Sequence, residues 1–199
     1  MRKRMDSEEL SRLLCKLHRE RDAELKARFD RVLPFADGLF DRWERAKFLG
    51  FGDGATIYDS ALVFGRVMVG DNAWIGPYVM LDGSGGDISI GKWCSISTGV
   101  QIYTHDSVFR ALSGGILPQR IGSVRVGDYC YIGSQSIIAF GVTIGNHCVI
   151  AANSFVNQDV PDRTIIGGSP AKKLGWVEGE GKDVRLVYGS AGSEKTSYK

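Results

Sequence analysis

Histidine is scarce in this chain. Only three occur in 199 residues: His18, His105 and His147. The last two are 42 residues apart with no third near them, so a three-histidine zinc centre has no ligand set. Cysteine is limited to Cys15, Cys94, Cys130 and Cys148. Their spacing fits neither a zinc site nor a redox pair. Charge of one sign is lacking too, with a net of +2. No basic stripe with interleaved aromatics is present, which argues against nucleic-acid binding. No apolar run is long enough to span a membrane. The opening MRKRMDSEEL is basic, then acidic, with no apolar stretch behind it, so it does not read as a secretory signal. A reduced, cytoplasmic protein with one principal domain is expected.

What the chain does have is period six. Ile57, Val63, Val69, Ile75 and Leu81 form the first run. After a three-residue insertion come Ile90, Ile96 and Ile102. After a longer break come Val126, Ile132, Ile138, Ile144, Ile150 and Val156. A helix needs period 3.6 and an amphipathic strand period 2, so spacing of six on both sides of a break means a repeat architecture. The position after the aliphatic is often glycine, as at Gly70, Gly76, Gly91, Gly127, Gly133 and Gly145. The fifth position is small or β-branched, and Cys94, Cys130 and Cys148 all fall there as small core fillers. The expected object is a narrow coil, each turn burying its aliphatics against the next.

These hexads resemble those of the hexapeptide-repeat acyltransferases. The resemblance implies a mainly β fold, a left-handed parallel β-helix with three hexads per coil. The left hand comes from the resemblance alone, since right-handed crossovers are the general rule. The expected organisation is a helical segment over 1–53, a β-helix over 54–175 with an external loop at 106–125, and a tail over 176–199 whose end, 189–199, is mobile.

Within 1–53, a helix is expected over 5–33, capped by Asp6 with Glu9 three residues on. Leu10, Leu13, Leu14 and Leu17 give it an apolar stripe, and Pro34 stops it. A second helix is expected over 37–49. Both should roof the first coil. The run Asp82-Gly-Ser-Gly-Gly-Asp87 lacks the lysine of a P-loop. It reads either as a tight turn between coils or as a polar loop that points Asp82 at a sugar hydroxyl.

The candidate chemistry centres on His105, in Tyr103-Thr104-His105-Asp106 ahead of the long loop. This is where the resembled acetyltransferases keep a catalytic histidine. A neutral imidazole can take a proton from an acceptor as it attacks a thioester. The resemblance implies acetyl-CoA as acyl donor and no required metal. It implies Tyr103, Asp82 and Asp106 toward the substrate, and Tyr131, Gly133, Ser134, Ala152, Asn157 and Lys172 toward CoA. The chain departs from the family at Asn157-Gln158, Gly175 and Tyr131, where the relatives carry a Thr-Lys pair, an arginine and a tryptophan. A homotrimer with sites shared between subunits is implied as well. The leading expectation is O-acetylation of a sugar in polysaccharide synthesis. N-acetylation of a nucleotide-linked amino sugar, xenobiotic acetylation and a non-catalytic scaffold stand as alternatives. A γ-carbonic anhydrase shares the fold but needs the zinc histidines this chain lacks.

Overall fold

The structure is a computed structural model and describes residues 6–189. The expected mobile end therefore lies outside the described residues, apart from Gly189. The first helix, α1 (Ser7–Phe29), is capped as expected: the Asp6 side chain accepts the Glu9 N–H at 2.8 Å. It ends earlier than Pro34 would require. Asp30 adopts a left-handed conformation (φ 50°) and donates its N–H to Lys26 O, which closes the last turn. The expected second helix is two helices, α2 (Phe35–Leu39) and α3 (Arg42–Phe48). Asp41 divides them, because its side chain accepts the N–H groups of Trp43 and Glu44 and so starts a new helix.

The roof over the first coil is α3. Ala46 is buried against the core, and Arg45 pairs with Asp59 on the coil beneath. α1 buries no residue, and Leu10, Leu13 and Leu14 stay exposed. No helix among the described residues is long and apolar enough to cross a membrane.

The hexads become short parallel strands. A first ladder joins Thr56–Ile57, Trp74–Ile75, Ser95–Ile96, Tyr131–Ile132, Val149–Ile150 and Thr164–Gly167. A second joins Leu62 and Val63 with Met80 and Leu81, then Gln101–Tyr103, Ile137–Ile138 and Phe155–Val156. A third joins Val67–Val69, Ile88–Ile90, Val124–Val126 and Thr143–Ile144. Pairs such as Ile57↔Ile75, Val63↔Leu81 and Ile132↔Ile150 lie 18 residues apart. Three hexads therefore bring the chain back over itself.

Thirteen of the fourteen period-six aliphatics are buried, and Val63 is half-buried. Each fully buried isoleucine contributes about 1.5–3 kcal/mol of transfer free energy, which makes this column the main source of stability. The three repeat cysteines are buried beside it, each with its thiol directed at a carbonyl: Cys94 at Gly127, Cys130 at Gly145 and Cys148 at Pro161.

The glycine-rich run is neither of the two expected forms. It lies inside one eleven-residue strand, Met80–Ile90, which passes from the second ladder to the third and pairs in parallel with Leu62–Val69. Glycines on both strands make this possible. A Cβ at Gly65 would fall 2.2 Å from Gly83 O, and one at Gly83 would fall 2.7 Å from Arg66 O. After residue 171 the chain adds two antiparallel strands, Lys172–Glu178 and Arg185–Tyr188, at the edge of the first ladder. The first of these runs across residue 175.

Candidate active site

His105 leaves the second ladder just after Tyr103. With Asp106 it forms a two-residue strand, antiparallel to Arg120–Ile121. The 106–125 loop is thus a folded excursion, closed at its base by this pairing and carrying a short helix, α4 (Val108–Leu112). Thr104 fixes the departure point. It is fully buried; its Oγ1 donates to Asp82 O at 2.7 Å and accepts from Gly85 N at 3.0 Å. Its carbonyl accepts the Gly122 N–H at 2.8 Å. Threonine 104 therefore ties together the glycine strand, the histidine strand and the far end of the loop.

A cavity of about 380 Å³ opens beside His105. Its walls are Tyr103, His105, Asp106, Arg120, Phe140 and Asn157, and its floor is apolar, from Ile137, Ala139 and Phe155. Nδ1 of His105 is buried and makes no hydrogen bond among the described residues.

Asp106 does not serve the imidazole. Arg120 grips its carboxylate with two nitrogens, Nε to Oδ1 at 3.2 Å and Nη2 to Oδ2, and Val108 N donates to it at 3.1 Å. The hydrogen bond from Arg120 is the main reason its carboxyl titrates below the ordinary carboxylate value. The Arg120 guanidinium also lies over the rings of Phe109 (4.9 Å) and Phe140 (5.0 Å), so this pair is the brace that holds the loop over the cavity.

The structure thus brings together four of the expected residues: Tyr103, His105, Asp106 and Asn157. Asp82 is the strand partner of Tyr103 but does not line the cavity. Its side chain accepts from Ser84 N at 3.1 Å, and it meets the site through its backbone bond to Thr104. Gly133, Ser134 and Ala152 form a second group at the corner before the second ladder. There a Cβ on Gly133 would fall 2.5 Å from Ala152 N, and Ser134 O accepts the Asn153 N–H at 2.9 Å. Lys172 reaches this corner through Gly167, its strand partner, whose own Cβ would touch Ala151. Lys172 is exposed and makes no ion pair among the described residues. Tyr131 stands elsewhere, on the outer face of the first ladder, in a hollow with Trp93, Tyr129 and His147.

Gly85, Arg120 and Phe140 were not among the expected site residues. A Cβ on Gly85 would lie 2.5 Å from His105 Cβ and 2.7 Å from Thr104 O. The glycine-rich strand is what lets the histidine sit close against the coil.

Known proteins resemble this chain. The family described as the hexapeptide repeat of succinyl-transferase matches residues 123–158. Protein CapG of Staphylococcus aureus is 44% identical over 94 residues, covering 46% of this chain and 54% of its own. Putative acetyltransferase YvoF of Bacillus subtilis is 35% identical over 85 residues, covering 43% of this chain and 45% of its own. The chain spans about half the length of these curated relatives. Among solved structures, AntD, an N-acyltransferase from Bacillus cereus in complex with dTDP and 3-hydroxybutyryl-CoA, superposes with a TM-score of 0.56 at 25% identity, over 68% of this chain and 89% of its own. A hexapeptide-repeat-containing acetyltransferase from Vibrio cholerae, complexed with acetyl-coenzyme A, gives a TM-score of 0.50 at 26% identity over 82% of this chain and 89% of its own. The repeats, their register and these matches make the chain similar to the hexapeptide-repeat acyltransferases over its coils.

Proposed function

We propose that this protein is an acetyl-CoA-dependent acetyltransferase acting on a sugar in the cytoplasm, built as a left-handed β-helix and assembled as a homotrimer. The observation that carries the reading is the placement of His105. It sits on the wall of a cavity with its Nδ1 buried and unpaired, which leaves Nε2 as the nitrogen we assign to the proton. An acceptor hydroxyl in the cavity gives its proton to Nε2 while its oxygen attacks the thioester carbonyl carbon. The tetrahedral adduct collapses, the C–S bond breaks, and the leaving thiolate takes the proton back from the imidazolium. General-base help of this kind is typically worth about 10²–10⁴-fold.

The Gly133, Ser134 and Ala152 corner offers backbone amides to the pantetheine arm of the donor, and Lys172 offers a charge to its phosphates. Asn157 lines the same cavity as the base. Tyr131, on another face of the same coil, reaches the donor only if a neighbouring subunit brings one to it, which suits a shared site. A buried, unpaired ring nitrogen costs about 1–3 kcal/mol, so Nδ1 of His105 also favours an assembly in which a neighbour supplies its partner. A second reading, transfer to an amine, is favoured by the likeness to an N-acyltransferase.

One assay separates these. The protein is incubated with acetyl-CoA and a panel of sugars, amino sugars and their nucleotide-linked forms, and thiol release is followed. Products are then treated with hydroxylamine at high pH. Esters are cleaved and amides survive. Thiol release with no acceptor-dependent component across the panel would count against the sugar reading.

A further inference from the structure

The N-terminal helices enclose a second hollow, of about 660 Å³, between α1, α2, α3 and the first coil. Its walls carry Arg21, Arg28, Arg31 and Arg42. Arg21 is paired with Glu24 at 2.8 Å. The other three have no carboxylate partner among the described residues. Arg28 and Arg31 both lie over the Phe29 ring, at 4.9 and 4.8 Å. Arg42 lies 4.3 Å over Trp43 and donates Nη1 to the Tyr58 hydroxyl at 3.1 Å. The Nε atoms of Arg31 and Arg42 are buried and make no hydrogen bond.

The carboxylates in the wall do not answer this charge. Asp41 caps α3, Asp59 pairs with Arg45, and Asp37 accepts the Ser60 N–H at 2.8 Å through Oδ1. The other oxygen of Asp37, Oδ2, is buried and also without a partner. The hollow therefore holds stranded donors of positive charge beside a stranded acceptor. Buried polar groups are rarely left so in a folded protein.

We propose that this hollow binds a sugar phosphate, its phosphate held by Arg28, Arg31 and Arg42 and one of its hydroxyls donated to Asp37. Guanidinium is the side chain suited to phosphate, because its planar fork presents paired N–H groups. Rings beneath the guanidiniums hold the forks in place. The volume exceeds what a phosphate alone would fill, and Trp43 presents an exposed apolar face to a sugar ring. The site is independent of the transferase reading and stands whether or not acyl transfer occurs. The same chemistry is offered by a free sugar phosphate and by a sugar nucleotide.

Calorimetric titration of the intact protein tests this, with inorganic pyrophosphate, glucose 1-phosphate, UDP-glucose and uncharged glucose as probes. The phosphorylated probes are expected to bind and glucose is not. Arg31→Gln and Arg42→Gln should each weaken binding tenfold or more. Lys47→Gln, a charge lost from the exposed side of α3, should not. Tighter binding of UDP-glucose than of glucose 1-phosphate would name a sugar nucleotide as the ligand, and equal binding a sugar phosphate; both support the site. Because Arg31 and Arg42 are partly buried, the variants' folding is checked by circular dichroism, and the exposed Arg28→Gln provides a third readout. Absence of binding by every phosphorylated probe, or unchanged affinity in folded Arg28→Gln and Arg31→Gln, would overturn the proposal.

Discussion

Gly85 gives the sharpest handle on the site. A methyl group there would sit 2.5 Å from His105 Cβ, whereas ordinary contact begins near 3.4 Å. His105 would have to retreat by about 0.9 Å. The other near atom, Thr104 O at 2.7 Å, is backbone and already bonded to Gly122 N, so the relief cannot come from a flexible side-chain end. Overpacking of this kind costs about 1–3 kcal/mol. A misplacement of about 1 Å in a reacting group can cost about 10²-fold in rate. Gly85→Ala should therefore lower kcat/KM for acetyl transfer by roughly 10²-fold, with a fall in Tm of only a few degrees. The assay is thiol release from acetyl-CoA with a responsive acceptor, beside a thermal melt. Gly114→Asn is the control. Nothing lies within 4 Å of its Cβ, and asparagine tolerates its left-handed backbone (φ 64°). Undiminished transfer by Gly85→Ala would refute the claim that this strand sets the position of His105.

Three further outcomes are expected. Thr104→Val leaves the Gly85 N–H without its partner and should cost about 1–3 kcal/mol, read as a lower midpoint in urea. Native protein should react with a chromogenic disulfide reagent at Cys15 alone, and denatured protein at all four thiols, because Cys94, Cys130 and Cys148 are buried; hydrogen bonding with the Cys148 and Cys94 thiols, and then burial, pushes the Cys130 thiol upward, away from the reactive thiolate. Asp106 titrates below its usual 3.8 because of Arg120, so its contribution to stability is present above that pH and is lost as pH falls through the lowered value. Asp106→Asn should melt lower than wild type at neutral pH, with the gap closing below about pH 4; a gap that did not change with pH would remove the ion pair as its cause.

The coils are legible in the sequence because burial allows little choice: one inward aliphatic per hexad, and a slip of one residue would turn Ile96 or Ile132 out of the core. His105 is legible because it stands where the repeat breaks. The helix ends at Asp30 and Asp41 are less so, since each depends on one local backbone geometry that apolar spacing does not report. The run Asp82–Asp87 reads as a turn or a polar loop because glycines usually mark such places. Only the parallel partner strand, with Gly65 at the crossing, shows that they serve close approach of two backbones. The Asp106–Arg120 brace escapes notice because its members are 14 residues apart in a segment without periodicity. Tyr131 and Gly133 are two residues apart in sequence, yet a coil corner sends them to different faces.

His105 is the proposed proton acceptor of the transfer step. The most direct measurement compares His105→Ala with wild type in single-turnover acetyl transfer, with acetyl-CoA binding measured on the same samples. A loss of about 10²–10⁴-fold in the transfer rate is expected, with donor affinity unchanged. Transfer at the wild-type rate in His105→Ala would contradict it.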